Sequence, residues 1–334
     1  VAEIRVGNKG HFVVNSGETI LEAGLRAGFG FPRACRNGNC GRCAGRLKSG
    51  EVRLGNTLLR AEDTGSDQVL YCVATANTDC EIDAAMITAP GELPVASLRC
   101  QIAAIQPLNH NVSAVTLRLP AGQKLNWYAG QYLLLGEQQD AAFSIANAAT
   151  DGGRDILLHI RHDADNLSAV ELMTQLQQQS TVATMLPLGN RWIDQAPSQP
   201  VWFICGSTGF APARAMIERL MQLNYSLPVR LFRGGRRVDD IYPPQWSSDP
   251  LLTLKDFQEV LAVNEAPMSG QFHGMVHEAA IKALQDPTAP LFHVGGSPAM
   301  VWAVFDGLVD AGVPPHHIHS DVFDYAPREP NISG

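Results

Sequence analysis

Apolar and polar residues alternate at the start of the chain. Ile4-Arg5-Val6 and Phe12-Val13-Val14 read as the strands of a hairpin, because a period of two sends successive side chains to opposite faces. The period then lengthens: Ile20, Leu21, Gly24 and Leu25 share one face of a helix, with Ser16 as its predicted cap and Gly28 as its stop. Strand patterns return at Glu51–Leu54 and 69–72, so residues 1–89 read as a small α+β unit. Residues 90–97, centred on Pro90, Gly91 and Pro94, have no periodicity and read as a linker.

From residue 98 to 194 the pattern is of short strands, at 100–105, 112–119, 131–135 and 156–160, with one helical stretch at 168–176. That spacing predicts an antiparallel β-barrel. From residue 195 to 334 the order becomes strand, glycine turn, helix, strand. Val201-Trp202-Phe203-Ile204-Cys205 is continuously apolar, as a parallel strand buried on both faces must be. Pro212 is predicted to open a helix that turns Met216, Ile217, Leu220 and Met221 inward. Runs at 229–232 and 291–294 repeat the strand signal, which predicts a doubly wound parallel sheet.

At 334 residues the chain has room for two or three domains, and 45% apolar with 17% charged residues is a globular composition. The net charge of −8 argues against nucleic acid and suggests docking to a protein with complementary basic groups. No apolar run reaches membrane-spanning length and the first residues lack a signal-peptide pattern, so no membrane insertion and a cytoplasmic location are expected.

The chemistry begins with cysteine spacing. Cys35, Cys40 and Cys43 form C-x4-C-x2-C, and Cys72 follows after 28 further residues, the plant-type spacing for a 2Fe-2S cluster. Gly38 and Gly41 supply the positive φ angles and open N–H groups that a loop around inorganic sulfide needs. A zinc site ordinarily pairs two short C-x2-C elements, and disulfides would not need this spacing; the cluster is the favoured reading and implies electron transfer. Cys80, Cys100 and Cys205 remain, read as buried apolar residues in a reducing compartment.

Gly206-Ser207-Thr208-Gly209-Phe210-Ala211-Pro212 joins the first parallel strand to its helix, where open α/β sheets bind phosphates on backbone N–H groups. A glycine turn there also occurs without a ligand. Gly295-Gly296-Ser297-Pro298, after the last apolar run, repeats the device, and two such turns at one sheet edge favour a dinucleotide site. His316, His317 and His319 lack the partners and spacing of a metal site. Trp127 and Tyr128 have two readings, barrel core or a stacking surface.

The order of cluster domain, β-barrel and α/β domain resembles the ferredoxin–NADP⁺ reductase superfamily in its N-terminal-ferredoxin subgroup. That subgroup includes reductase components of bacterial mono- and dioxygenases and the CDP-6-deoxy-glucoseen reductase of deoxysugar synthesis. The resemblance covers nearly the whole chain, and residues 130–212 are also similar to NAD(P)H:flavin reductases. It implies a β-grasp ferredoxin domain, a barrel that binds FAD and an α/β domain that binds NADH or NADPH. Tyr128-Ala129-Gly130-Gln131-Tyr132 is similar to the entrance of the flavin strand, and Phe143-Ser144-Ile145 to the flavin-binding segment. His159, Ile160, Arg161 and Ser168 fall where the family continues its flavin site, and Gly206, Ser207, Thr208, Gly209, Gly295 and Gly296 where it holds the nicotinamide nucleotide. Asp321-Val322-Phe323 resembles the acidic-x-aromatic segment bordering the isoalloxazine, so Ser144, Asp321 and Phe323 are the expected catalytic residues.

Three positions depart from the family pattern. Ala141 stands where the family has a phosphate-binding arginine, Asp165 where it has a turn glycine, and Gly295 where it has a cysteine. Arg161 could replace the missing charge or be a surface arginine; Arg236 and Arg237 could read a 2′-phosphate or be solvated. The expected activity is NAD(P)H:acceptor oxidoreduction, from NAD(P)H to FAD to the cluster and on to a partner protein, an oxygenase component or a deoxysugar dehydrase. The rival expectation is a cluster-only electron carrier whose flavin site has lapsed.

Overall fold

The computed structural model describes residues 2–31, 36–39, 43–64, 69–83, 87–91, 93–123, 125–138, 141–150, 152–164 and 166–328, and in it the chain divides into two compact units, Val1–Ala96 and Ser97–Gly334. Cys35, Cys40, Gly41 and Asp165 lie outside the described residues.

In the first unit the predicted hairpin forms from β1 (Ala2–Val6) and β2 (His11–Val14). Its apolar face covers α1 (Ile20–Arg26), whose Ile20, Leu21 and Ala23 are buried. Thr19, not Ser16, caps α1: its hydroxyl accepts the Glu22 N–H at 3.2 Å while the Glu22 carboxylate accepts the Thr19 N–H at 3.0 Å. Helix can start only after the turn at Gly17, where φ is 80°. Gly28 ends it as expected, at φ 86°.

Short strands follow: β3 (Ala44–Gly45), β4 (Leu47–Ser49), β5 (Glu51–Leu54) and β6 (Thr57–Arg60), then α2 (Ala61–Thr64), β7 (Val69–Leu70), β8 (Ala74–Ala76) and β9 (Cys80–Ile82). The main sheet has the order β2-β1-β9-β4, with β1 and β9 parallel, the mixed sheet of a β-grasp domain.

The second unit begins with β10 (Ala96–Pro107), β11 (Val112–Arg118), β12 (Tyr132–Leu135), β13 (Ala141–Ser144) and β14 (Asp155–Arg161), then α3 (Leu167–Gln178) and β15 (Thr181–Leu188). Six strands in the order β13-β12-β15-β10-β11-β14 make an antiparallel barrel, nearly closed by a bridge from Ile145 to Leu158. Val115, Leu117, Leu133, Leu158 and Leu186 fill it.

The parallel sheet uses β16 (Val201–Gly206), α4 (Phe210–Gln222), β17 (Val229–Gly235), α5 (Pro250–Thr253), β18 (Phe257–Val263), β19 (Phe272–His273), α6 (Val276–Ala283), β20 (Leu291–Gly295), α7 (Pro298–Asp310), β21 (Ile318–His319) and α8 (Val322–Tyr325). Helix α4 starts two residues before Pro212, which sits in the first turn, where a missing N–H breaks no helical bond. The order β19-β18-β17-β16-β20-β21 reverses direction at β16, so a crevice opens at the carboxyl ends of β16 and β20. Among the described residues no helix is long and apolar enough to cross a membrane.

Candidate functional site

Two cysteine ligands of the expected cluster are described, and the fold brings them together. Strands β3 and β7 pair antiparallel, Ala44 against Leu70, and the Tyr71 N–H donates to the Cys43 carbonyl at 3.2 Å. Cys43 and Cys72, which flank this ladder, are both buried with their sulfurs 3.0 Å apart. Gly45 is required here, because a Cβ would overlap the Tyr71 ring, whose hydroxyl donates to the Arg46 carbonyl at 3.0 Å. Cys72 thus lies in the turn just after β7, not within a strand. The left-handed angle expected of the cluster loop is present at Gly38, φ 85°. Cys80, Cys100 and Cys205 are free and buried, and burial pushes their thiols up, that of Cys205 to about 12. Paired, buried sulfur donors fit an iron–sulfur group.

In the second unit the two glycine turns meet at the sheet's switch point. A Cβ on Gly209 would overlap the Gly295 carbonyl group, and one on Gly295 would overlap the Gly209 carbonyl oxygen. Backbone against backbone is possible only because both lack side chains, and Gly206 is likewise pressed by Met300. Ser207, between them, takes a left-handed φ of 49°, a strained position for a residue with a Cβ. Beside this floor lies a cleft walled by Pro212 and Met216 from α4, by His293, His319 and Asp321, and by Arg191 from the barrel.

Asp321 is the titratable centre of the cleft. Burial, with Asp324 nearby, pushes its carboxyl up from 3.8 to about 6, against the opposing pull of Arg191. Asp321 also acts on the Tyr132 hydroxyl, which burial raises and the charges of Asp321 and Asp324 raise further. Tyr132 pairs with Ser144 across β12 and β13, so Ser144 and Asp321 approach the same edge of the barrel. Phe143 and Ser144 are half-buried, and Ile145 is fully buried in the barrel. His293 is half-buried and stacked on Phe203 at 5.6 Å; desolvation, then His319 and Arg191, holds it down at about 3. His319, 5.3 Å from His293 ring to ring, is lowered for the same first reason.

Other expected residues lie elsewhere. The Phe323 ring packs on Trp302 at 4.8 Å and on Phe305. His159 is buried against Tyr242, with Nδ1 3.0 Å from the hydroxyl, and burial with Arg214 and Arg233 lowers it to about 3; its Nε2 has no partner among the described residues. Ile160 belongs to the barrel core. Arg161 is exposed and pairs with Asp163 at 2.5 Å. Ser168 is exposed in the first turn of α3, where Asn166 is the cap. Trp127 is core, its indole N–H donating to the Asn147 carbonyl at 2.9 Å, while Tyr128 leans on Trp192 at 5.2 Å. Arg236 and Arg237 are exposed and both face Glu265, at 3.8 and 2.9 Å. His316 and His317 pack on each other in a turn, and His317 also contacts the Pro290 carbonyl.

Arg191, His293 and Glu265 have no role in the sequence-based expectations, and His319 enters them only within a histidine cluster set aside as a metal site. None stands in a motif; each becomes visible only once the barrel loop and the sheet edge are assembled.

The 2Fe-2S iron-sulfur cluster binding domain family matches residues 4–77. The chain is 29% identical over 318 residues to a terephthalate 1,2-dioxygenase reductase component of Comamonas, covering 93% of this chain and 94% of that one. It is 27% identical over 318 residues to the CDP-6-deoxy-L-threo-D-glycero-4-hexulose-3-dehydrase reductase of Yersinia pestis, covering 93% and 95%. Among solved structures, a cytochrome P450 reductase from Amycolatopsis is similar at a TM-score of 0.66 and 25% identity, covering 96% of this chain and 98% of that one.

Proposed function

Because the chain belongs to the ferredoxin–NADP⁺ reductase superfamily, as an oxidoreductase with an N-terminal ferredoxin domain, we propose that it draws electrons from NADH or NADPH and delivers them through FAD and its 2Fe-2S cluster to a separate protein, the terminal component of an oxygenase. Bound FAD supplies the chemistry that accepts electrons in pairs and releases them singly. The observation that carries the reading is the nested pair of glycine turns at the switch point, opening onto Asp321 and the barrel edge that holds Ser144.

Each residue then has a task. Gly206, Ser207, Thr208 and Gly209 offer backbone N–H groups to the nucleotide, and Gly295 and Gly296 let it approach the sheet edge. Phe143, Ser144 and Ile145 line the flavin strand with Tyr128 at its entrance. Asp321 holds a proton below about pH 6 at the cleft and sheds it above. Cys43 and Cys72 hold iron together with Cys35 and Cys40. Free, buried Cys80, Cys100 and Cys205 suit a reducing, cytoplasmic setting. A second acceptor, a deoxysugar dehydrase, is favoured by the near-equal similarity to the Yersinia dehydrase reductase.

A visible spectrum of the purified protein tests the reading. Cluster and flavin bands together support it; cluster bands alone indicate a simple electron carrier. In Cys72→Ser the cluster bands should vanish while NAD(P)H oxidation by a small dye persists, and loss of both would refute a modular electron path.

A further inference from the structure

The cleft contains a cation with an unused hydrogen-bond donor. Arg191 Nε is buried, and among the described residues it has no partner. The nearest carboxylate oxygen, Asp324 Oδ1, lies 3.7 Å from Nη2, too far for a hydrogen bond. The backbone that carries this side chain is held firmly. Ile193 N–H donates to the Ala129 carbonyl at 2.9 Å, and Gly130 passes so close that a Cβ there would overlap the Arg191 carbonyl. Trp192 adds a ring contact to Tyr128 at 5.2 Å. The guanidinium therefore projects from a fixed loop into the cleft floored by Gly209 and Gly295.

Its surroundings leave the Nε–H unused among the described residues, although Asp324 lies in ion-pair range of Nη2. His293 and His319 are both lowered, by desolvation first and in part by Arg191 itself, and Asp321 is reached by its field but not by a hydrogen bond. A buried N–H donor left unmade is costly, and a cation makes its strongest hydrogen bonds to oxygen. We infer that Arg191 is the binding cation of this cleft, donating from Nε to a carbonyl oxygen of the ring that occupies it. The inference rests on the reductase reading, which places two such oxygens within the same chemistry, one on the flavin pyrimidine edge and one on the nicotinamide carboxamide.

The test compares Arg191→Gln, Arg191→Lys and Asp324→Asn with wild type in two titrations. FAD binding to apoprotein is read by flavin fluorescence quenching, and NAD⁺ and NADP⁺ binding to FAD-loaded protein by difference spectra. Arg191→Gln should lose about 10–100-fold in affinity for one probe, the loss of one charge-assisted hydrogen bond. Arg191→Lys should lose less, keeping the charge but not the Nε–H, and Asp324→Asn should match wild type. A loss confined to FAD assigns the oxygen to the flavin; a loss confined to the nucleotides assigns it to nicotinamide. If Arg191→Gln does not fold, a loss of several-fold in Arg191→Lys stands in its place. Unchanged affinity in a folded variant overturns the inference, as does an equal loss in Asp324→Asn, which would reduce Arg191 to a brace for that carboxylate. Wild type that binds neither probe overturns the reductase reading as well.

Discussion

Two carboxylates show how surroundings set what a single residue does. Asp321 is half-buried in the cleft, and desolvation raises its carboxyl to about 6, above its ordinary 3.8. Folding therefore favours the protonated form: the cost of the buried charge is absent below about pH 4, grows between 4 and 6, and is complete above 6. Asp321→Asn should be more stable than wild type at pH 8, by up to about 3 kcal/mol, and equal to it below pH 4. Urea midpoints at the two pH values check this, and a gain of equal size at both would mean that packing, not charge, is responsible. Glu265 acts in the opposite setting, exposed on the surface. It draws Arg236 and Arg237 toward itself, and so away from a 2′-phosphate. In Glu265→Gln the ratio of kcat/KM for NADPH to that for NADH should rise severalfold, and in Arg237→Ala it should fall. An unmoved ratio in both variants would remove this loop from coenzyme choice. The sequence exposes the arginine pair but not its carboxylate, which comes from the segment after β18, 28 residues beyond Arg237.

At the level of elements, the informative feature is where strands end. The apolar run of β16 was legible because a parallel strand buried on both faces needs no alternation. Strands β13 and β18 are not, since edge exposure or partial burial breaks the period that reveals a strand. The apolar face of α1 is legible in the sequence but its cap is not: Ser16 is the predicted cap, and the turn at Gly17 moves the helix start to Thr19. Nesting of the β16 and β20 turns has a direct consequence. Gly295→Ala places a methyl against the Gly209 carbonyl, where backbone has to move, and it should weaken nicotinamide-nucleotide binding at least tenfold, with a destabilisation of roughly 2 kcal/mol or more. Gly270→Ala is the control: nothing lies near its Cβ, so it should cost only about 1 kcal/mol, from its positive φ of 87°, and leave binding intact. Equal effects of the two substitutions would show that the close approach to Gly209 is not what Gly295 is needed for.

Across the second unit, buried histidines set the response to acid. Burial holds His159 and His293 down at about 3, below their ordinary 6.5, so unfolding takes up nearly two protons between pH 5 and 6. Asp321 releases about one over the same range, and His319, also lowered, adds uptake. With net uptake of one proton or more, stability should rise with pH across that window by about 1.4 kcal/mol per pH unit for each proton. Denaturant midpoints at pH 5.0, 5.5 and 6.0 measure the slope; a flat or falling trend would contradict the buried neutral histidines. Cysteine spacing, glycine turns and the change of hydrophobic period were enough to read a ferredoxin domain, a barrel and a parallel sheet, because these signals are local and each residue carries its own constraint. The cleft was not readable in that way. Arg191 comes from a barrel loop, His293 and His319 from adjacent strands, and Asp321 from the turn before α8. Their burial, their mutual fields and the unpaired Nε arise only when chain segments more than a hundred residues apart close on one another, and desolvation acts on the assembled site rather than on any residue alone.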